Sequence, residues 1–258
     1  MNVFVFDIET IPDVEFGRNL YGLDGLGDED VARIMFQKRR EQTGDSEFLK
    51  LHQHRVCAIS AVFRHGDNVR VWSLGEADSS EAELIKRFFD GIERYTPTLV
   101  SWNGGGFDLP VLHYRALRHG IASPRYWETG SDDQSFRWNN YLSRYHARHT
   151  DLMDVLAGYQ PRANAPLDEI ALMLGFPGKM GMSGAKVWDE YQAGNIESIR
   201  NYCETDVLNT YLVYLRWQLI NGSLTTEQWQ AEQKMLRQEI ESSGKPHLLE
   251  FNKAWADQ

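Results

Sequence analysis

Val3-Phe4-Val5-Phe6 is an unbroken run of β-branched and aromatic residues. Such a run predicts a strand covered on both faces, in the middle of a sheet. Val56 to Phe63 and Val69 to Leu74 repeat the strand signature on either side of Arg64-His65-Gly66-Asp67-Asn68, whose glycine and asparagine suit a hairpin turn. The pattern therefore opens with three antiparallel strands. The period then changes. Leu84, Ile85, Phe88, Phe89 and Ile92 recur at helical spacing between Ser80 and Tyr95, with Ser79 or Ser80 available as the cap. Thr98 to Trp102 reads as another strand. Asp108-Leu109-Pro110 announces a helix to His119, closed by Gly120.

Further along, Asp151 to Leu156, Leu167 to Leu174 and Ile196 to Ile220 read as helical or strand-to-helix segments, the last being the longest. A polar insertion, residues 12–54, separates the first strand from the hairpin and is expected to be partly helical from Asp30 to Glu41. Beyond Asn221 the chain is highly charged, and Thr226 to Ser242 is expected to form a peripheral helix. No internal repeat or low-complexity linker interrupts the pattern. The expectation is one α/β domain over residues 1–220, carrying the insertion, and a peripheral helical extension over 221–258.

Composition narrows the function. The 258 residues include 27 basic and 37 acidic side chains, a net charge of −10. A non-specific coat on duplex nucleic acid needs clustered Lys and Arg, so the balance argues against one. It leaves room for an enzyme that handles a nucleic-acid end through bound cations. Cys57 and Cys203 match no metal-ligand spacing and suggest a reducing compartment. The amino-terminal apolar run is too short for a signal peptide, and no stretch approaches membrane-spanning length. A cytoplasmic location without membrane attachment is expected.

Three acidic elements carry the chemistry. In Phe6-Asp7-Ile8-Glu9-Thr10 the two carboxylates lie two apart, on the same side of a strand. Brought together at a strand end they repel, and a divalent cation with a preference for oxygen ligands removes the repulsion. The plainer alternative is that Asp7 begins a turn ending at Pro12. In Asn103-Gly104-Gly105-Gly106-Phe107-Asp108, three glycines allow a sharp turn and close approach, and Asp108 emerges at the carboxyl edge of the sheet. Asp108 is equally a good helix cap. Tyr202 and Asp206 lie four apart and share one helical face, as many surface pairs do.

Taken together, Asp-x-Glu on the first strand, Asn-x-x-x-Phe-Asp in the middle and Tyr-x-x-x-Asp near the end change the picture. From about Val3 to about Tyr214 the chain resembles the DEDD superfamily of 3′-5′ exonucleases. It is most similar to the stand-alone bacterial exonucleases related to the proofreading domain of family-B DNA polymerases. The histidine subclass places its histidine five residues before the final aspartate, a position held here by Asn201; tyrosine stands four before, at Tyr202, which points to the tyrosine subclass. The resemblance implies a ribonuclease H-like fold, a mixed five-stranded sheet with its first three strands antiparallel, flanked by helices. It also implies that Asp7, Glu9, Asp108 and Asp206 hold two Mg²⁺ or Mn²⁺ ions about 4 Å apart, with Tyr202 orienting the attacking water. The products would be nucleoside 5′-monophosphates.

The implied substrate is the 3′ end of single-stranded nucleic acid, DNA before RNA, and the implied setting is proofreading or repair beside a DNA polymerase. An exoribonuclease with the same site, or a non-catalytic polymerase-associated module, are the alternatives. Thr10, Ile11, Asn103 and Phe107 flank the carboxylates and match positions that contact the terminal nucleotide in similar enzymes. Gln134 to Thr150 is free of acidic residues and offers Phe136, Trp138, Tyr141 and Tyr145 beside Arg137, Arg144 and Arg148, a mixture suited to single strands. Lys179 and Lys186 flank or sit in a glycine-punctuated loop, Gly175 to Gly184, that could close over the strand. His146, His149 and Asp151 form no catalytic zinc pattern; Asp151 and Asp154 are placed to cap a helix.

Overall fold

The computed structural model describes residues 1–256. Five strands form one sheet: β1 (Asn2–Pro12), β2 (His54–His65), β3 (Asn68–Ser73), β4 (Thr98–Ser101) and β5 (His149–Asp151), in the order β3-β2-β1-β4-β5. β1 pairs antiparallel with β2, β2 antiparallel with β3, and β4 runs parallel to both β1 and β5. This is the expected mixed sheet of a ribonuclease H-like fold, with the apolar first strand at its centre.

The helices are α1 (Val14–Tyr21), α2 (Asp28–Thr43), α3 (Glu81–Tyr95), α4 (Asp108–His119), α5 (Pro124–Trp127), α6 (Leu152–Leu156), α7 (Leu167–Met173), α8 (Val187–Gln192), α9 (Ile196–Ile220), α10 (Thr226–Ser243) and α11 (Pro246–Ala256). They cover both faces of the sheet. Alternation along β1 divides its side chains: Phe4, Phe6 and Ile8 pack with Phe88, Phe89 and Leu112 from α3 and α4. Val3 and Val5 pack with Val207, Leu208 and Tyr211 from α9. Asp7 and Glu9 continue the second row, so they leave the sheet on the α9 side. A register shift between Glu9 and Thr10, with Cys57 as the extra residue of β2, bends the strand pair beside them. Val56 consequently shares a face with Ile59 and Ala61.

Two readings from the pattern need correction. The segment after Asn221 is not peripheral: Leu236, Ile240, Leu248 and Phe251 are fully buried in the core that α9 shares. Glu232 of α10 also makes a two-pronged ion pair with Arg64 of β2, at 2.7 and 2.8 Å. The insertion is more ordered than expected. α1 and α2 cross where Gly17 lies against Met35, and a Cβ there would meet the Met35 sulfur at 2.4 Å. Val31, Met35 and Leu49 form a small core of their own. Among the described residues, no helix is long and apolar enough to cross a membrane.

Candidate active site

Asp7 and Glu9 lie in the middle and second half of β1, just beyond the stretch paired with β4. Asp108 does not cap α4, as it was equally free to do in the sequence; it is the first residue of the helix, after Phe107, and its Oδ1 accepts from the Ile8 N–H at 3.2 Å. That bond sets the carboxylate against β1 between Asp7 and Glu9. Asp206 and Tyr202 come from one face of α9. All five side chains line one cavity of about 550 Å³, together with Asn103, Phe107, Asp168 and Lys179. Three distant stretches of chain thus meet at one point.

The glycine run works differently from expectation. A Cβ at Gly104 would meet Ser101 Oγ at 2.2 Å, and one at Gly106 would meet Asn103 Oδ1 at 2.5 Å. Both glycines make room for the protein's own side chains. The left-handed turn is taken by Asn103, at φ 63°, a residue that tolerates it. Asp151 fixes the loop: its carboxylate accepts from the backbone N–H of Asn103 and of Gly105, each at 2.9 Å, and caps α6 through Asp154. His149 bonds Ser101 Oγ at 2.8 Å and His146 accepts from the Asn140 N–H, so neither joins Asp151 in a metal cluster.

The electrostatics are unbalanced. Burial, followed by the Asp108, Glu9 and Asp206 charges, holds the Asp7 carboxyl well above the usual range. Burial and then Asp206 and Asp108 do the same to Glu9. Burial pushes Asp108 up to about 7 and Asp206 up to about 6. The cation acting on the group is Lys179, which favours the charged forms of Glu9 and Asp206 but is itself solvent-exposed. Burial and the adjacent acids drive the Tyr202 phenol upward, so it stays neutral near pH 7.

Sequence reasoning missed Cys203. Its Sγ lies 3.6 Å from Asp7 Oδ2, and Asp7, Glu9 and Cys203 offer atoms within 4.8 Å of one another. Its position three before Asp206 on the same helix was the available signal. Burial and Asp7 raise the thiol, which keeps it a neutral donor to Asp7 rather than a thiolate ligand. The donors left are hard carboxylate oxygens, mutually repelling and short of positive charge, and that set fits Mg²⁺ or Mn²⁺.

The remaining candidates divide sharply. Thr10 and Ile11 line a second cavity next to Glu9, where Thr10 Oγ1 bonds His54 Nδ1 at 2.9 Å. Phe107 and Lys179 border both cavities. The Gly175–Gly184 loop is pinned to α9 and α7, since Asn209 exchanges bonds with Gly178 and the Lys179 N–H reaches Asp168 at 2.6 Å. Lys186 is exposed and lines neither cavity.

Arg137, Arg144 and Arg148 line neither cavity. Their loop leads into the amino end of β5, and Tyr141 is tied to Pro97 just before β4. The carboxylates lie at the opposite ends of these parallel strands from Arg148 and Tyr141, whereas Arg144 folds back to α6, just past the carboxyl end of β5. Arg148 stacks 3.6 Å from the centre of the buried Phe136 ring and donates to Asn139. Arg144 pairs with Asp154 at 2.7 Å, and Arg137 stacks over Trp138. Phe136 and Tyr141 are core, while Trp138 and Tyr145 are exposed.

Residues 46–255 match a family described as "Predicted 3'-5' exonuclease related to the exonuclease domain of PolB". Asp7 and Glu9 precede the matched stretch and join it through the pairing of β1 with β2. A DNA polymerase of Pyrococcus glycovorans is 30% identical over 130 residues, 48% of this chain and 16% of the polymerase. One of Archaeoglobus fulgidus is 27% identical over 136 residues, 52% of this chain and 17% of the polymerase. DNA polymerase 1 of Sulfurisphaera ohwakuensis shares 51% over 43 residues, 17% of this chain and 5% of that protein. The match thus spans less than a fifth of these relatives.

Proposed function

The chain belongs to the family of 3′-5′ exonucleases related to the exonuclease domain of PolB, and from that premise we propose that it shortens single-stranded DNA from the 3′ end, releasing nucleoside 5′-monophosphates. The observation that carries the reading is the meeting of Asp7, Glu9, Asp108 and Asp206 beside Tyr202 without a buried basic partner among the described residues. DNA is placed before RNA because the similar proteins are DNA polymerases.

In this reading Asp7, Glu9, Asp108 and Asp206 are the ligands of two divalent cations, as in the tyrosine subclass of DEDD exonucleases. Bound there, such ions supply an acidified water and neutralise charge at the departing 3′ oxygen. The chain's own residues do the rest. Tyr202, neutral and set against Asp206, orients the water through its hydroxyl rather than removing a proton. The Ile8 N–H holds Asp108 in place, and the Cys203 thiol steadies Asp7. Lys179, at the rim, meets the phosphate of the arriving strand.

A 5′-labelled oligonucleotide incubated with Mn²⁺ or with EDTA tests the reading. Stepwise shortening from the 3′ end, nucleoside 5′-monophosphate as product and its loss in EDTA are expected. An intact strand under all metal conditions would overturn the proposal, and faster shortening of the matched RNA strand would reverse the substrate assignment.

A further inference from the structure

On the face of the sheet that α9 covers, Val5, Val62 and Val71 stand opposite one another on β1, β2 and β3 and form one buried apolar row. The next row on that face is Asp7, Ser60 and Ser73. Both serines are buried, and hydroxyls under a helix cost stability unless they are bonded. Here Ser60 Oγ lies 2.9 Å from Ser73 Oγ, and Ser73 Oγ donates to Glu204 Oε1 at 2.9 Å. A polar row thus starts at the active-site aspartate, crosses to the third strand and ends on α9.

Glu204 is the unusual member. It is 3% exposed, and its remaining partners come from the other end of the carboxyl-terminal hairpin. Lys245 Nζ, in the turn before α11, lies 2.9 and 3.0 Å from its two oxygens, and His247 Nε2 lies 2.8 Å from Oε2. Tyr202 and Asp206 leave α9 toward the cavity, and Cys203 leaves it toward Asp7. Glu204, two residues from Tyr202 and from Asp206, leaves on the opposite face. Apolar packing is non-directional, so it sets where α9 lies more firmly than how α9 is turned about its axis. A buried carboxylate bonded from both sides admits one register.

We propose that Glu204 is a positioning residue for hydrolysis: held on Ser73 by the sheet and on Lys245 and His247 by the start of α11, it fixes the rotation of α9 and so aims Tyr202 and Asp206 at Asp7. The inference rests on the exonuclease reading and deepens it by adding the carboxyl-terminal helices to the parts that hydrolysis needs. A misplacement of about 1 Å at reacting groups costs up to roughly a hundredfold in rate. Glu204 touches no part of the cavity, so the loss falls on the chemical step and spares the grip on the strand.

The test is steady-state hydrolysis of a 5′-labelled single strand by wild type, Glu204→Gln, Lys245→Met, Lys245→Arg and Phe251→Leu, each assayed well below its melting temperature. Phe251 lies in the core under α11, so its substitution loosens the same helix without removing a bond to Glu204. Glu204→Gln and Lys245→Met should each lower kcat about tenfold while KM changes less than about twofold, and Lys245→Arg should recover most of the loss. Phe251→Leu, although it lowers the melting temperature, should keep the wild-type kcat. A wild-type kcat in Glu204→Gln or Lys245→Met, or an equal loss in Phe251→Leu, would overturn the positioning role while leaving the exonuclease intact. A wild type that releases no mononucleotide would overturn both.

Discussion

Two acidic clusters are buried among the described residues, and they are neutralised in opposite ways. At the base of the insertion, Asp13 and Glu81 close on Arg115, whose guanidinium contacts Asp13 at 2.5 Å and Glu81 at 2.6 and 2.7 Å, with His119 on the same glutamate at 2.7 Å. At the carboxyl end of the sheet, Asp7, Glu9, Asp108 and Asp206 have, among the described residues, the exposed Lys179 as their one nearby cation and are biased toward protonation. A cluster carrying its own guanidinium is finished by folding. One without it is finished by something from solution, and carboxylate oxygens select a hard divalent cation.

The contrast breaks most visibly in activity. Asp7→Asn should lower nucleotide release by roughly a thousandfold or more, about 4 kcal/mol of barrier, as read by 3′-end shortening. Metal-free Asp7→Asn should nevertheless melt about 2–4 °C higher than metal-free wild type, because one repelling charge is gone; that shift is about 1 kcal/mol for a chain of this size. Arg115→Met should do the reverse. It takes the guanidinium from between two buried acids, leaving His119 alone on Glu81, and should cost about 3–5 kcal/mol in urea denaturation. An Arg115→Met protein as stable as wild type would erase the distinction between the clusters.

Proton linkage sharpens the same comparison. Asp108 and Asp206 have folded-state values raised to about 7 and about 6. Their protonated forms favour the fold, so the contribution is complete below the ordinary carboxylate range and is lost as pH rises through 6 and 7. In EDTA the melting temperature should therefore fall between pH 5 and pH 8. Added Mn²⁺ should restore it at pH 8 far more than at pH 5. A flat metal-free profile across that window would contradict the unbalanced charge.

A smaller effect concerns the basic residues. Lys179→Ala should raise KM for single strands about fivefold, whereas Arg137→Glu should change it by less than about twofold, in keeping with exposed charges far from the site. A larger loss at Arg137 would return the far loop to the substrate path.

Much of this was legible in the chain because local pattern and global fold agree. The apolar strand runs, the Ser80 cap, which accepts from the Glu83 N–H, and Gly120 after α4 all stand where the pattern puts them. The pattern failed where the site begins. β1 continues to Pro12, but Asp7, Glu9 and Thr10 interrupt its apolar run, since residues that would have been core are spent on the cavity. The register shift opposite Glu9 leaves no mark in hydrophobicity. α11 was hidden by the charged segment around it, although Pro246 at its start and Leu248, Phe251 and Trp255 at helical spacing were available signals. The basic stretch near Arg148 misled for a different reason: charge and aromaticity in sequence do not reveal that Arg148 is already stacked on Phe136.

The most direct measurement is Mn²⁺ binding to the wild-type chain at pH 8, followed by the loss of the free-ion paramagnetic resonance signal. Two ions per chain are expected, with binding weakened in both Asp7→Asn and Asp206→Asn. Binding that is absent in wild type, or unchanged by either substitution, would contradict a cation site built from these carboxylates.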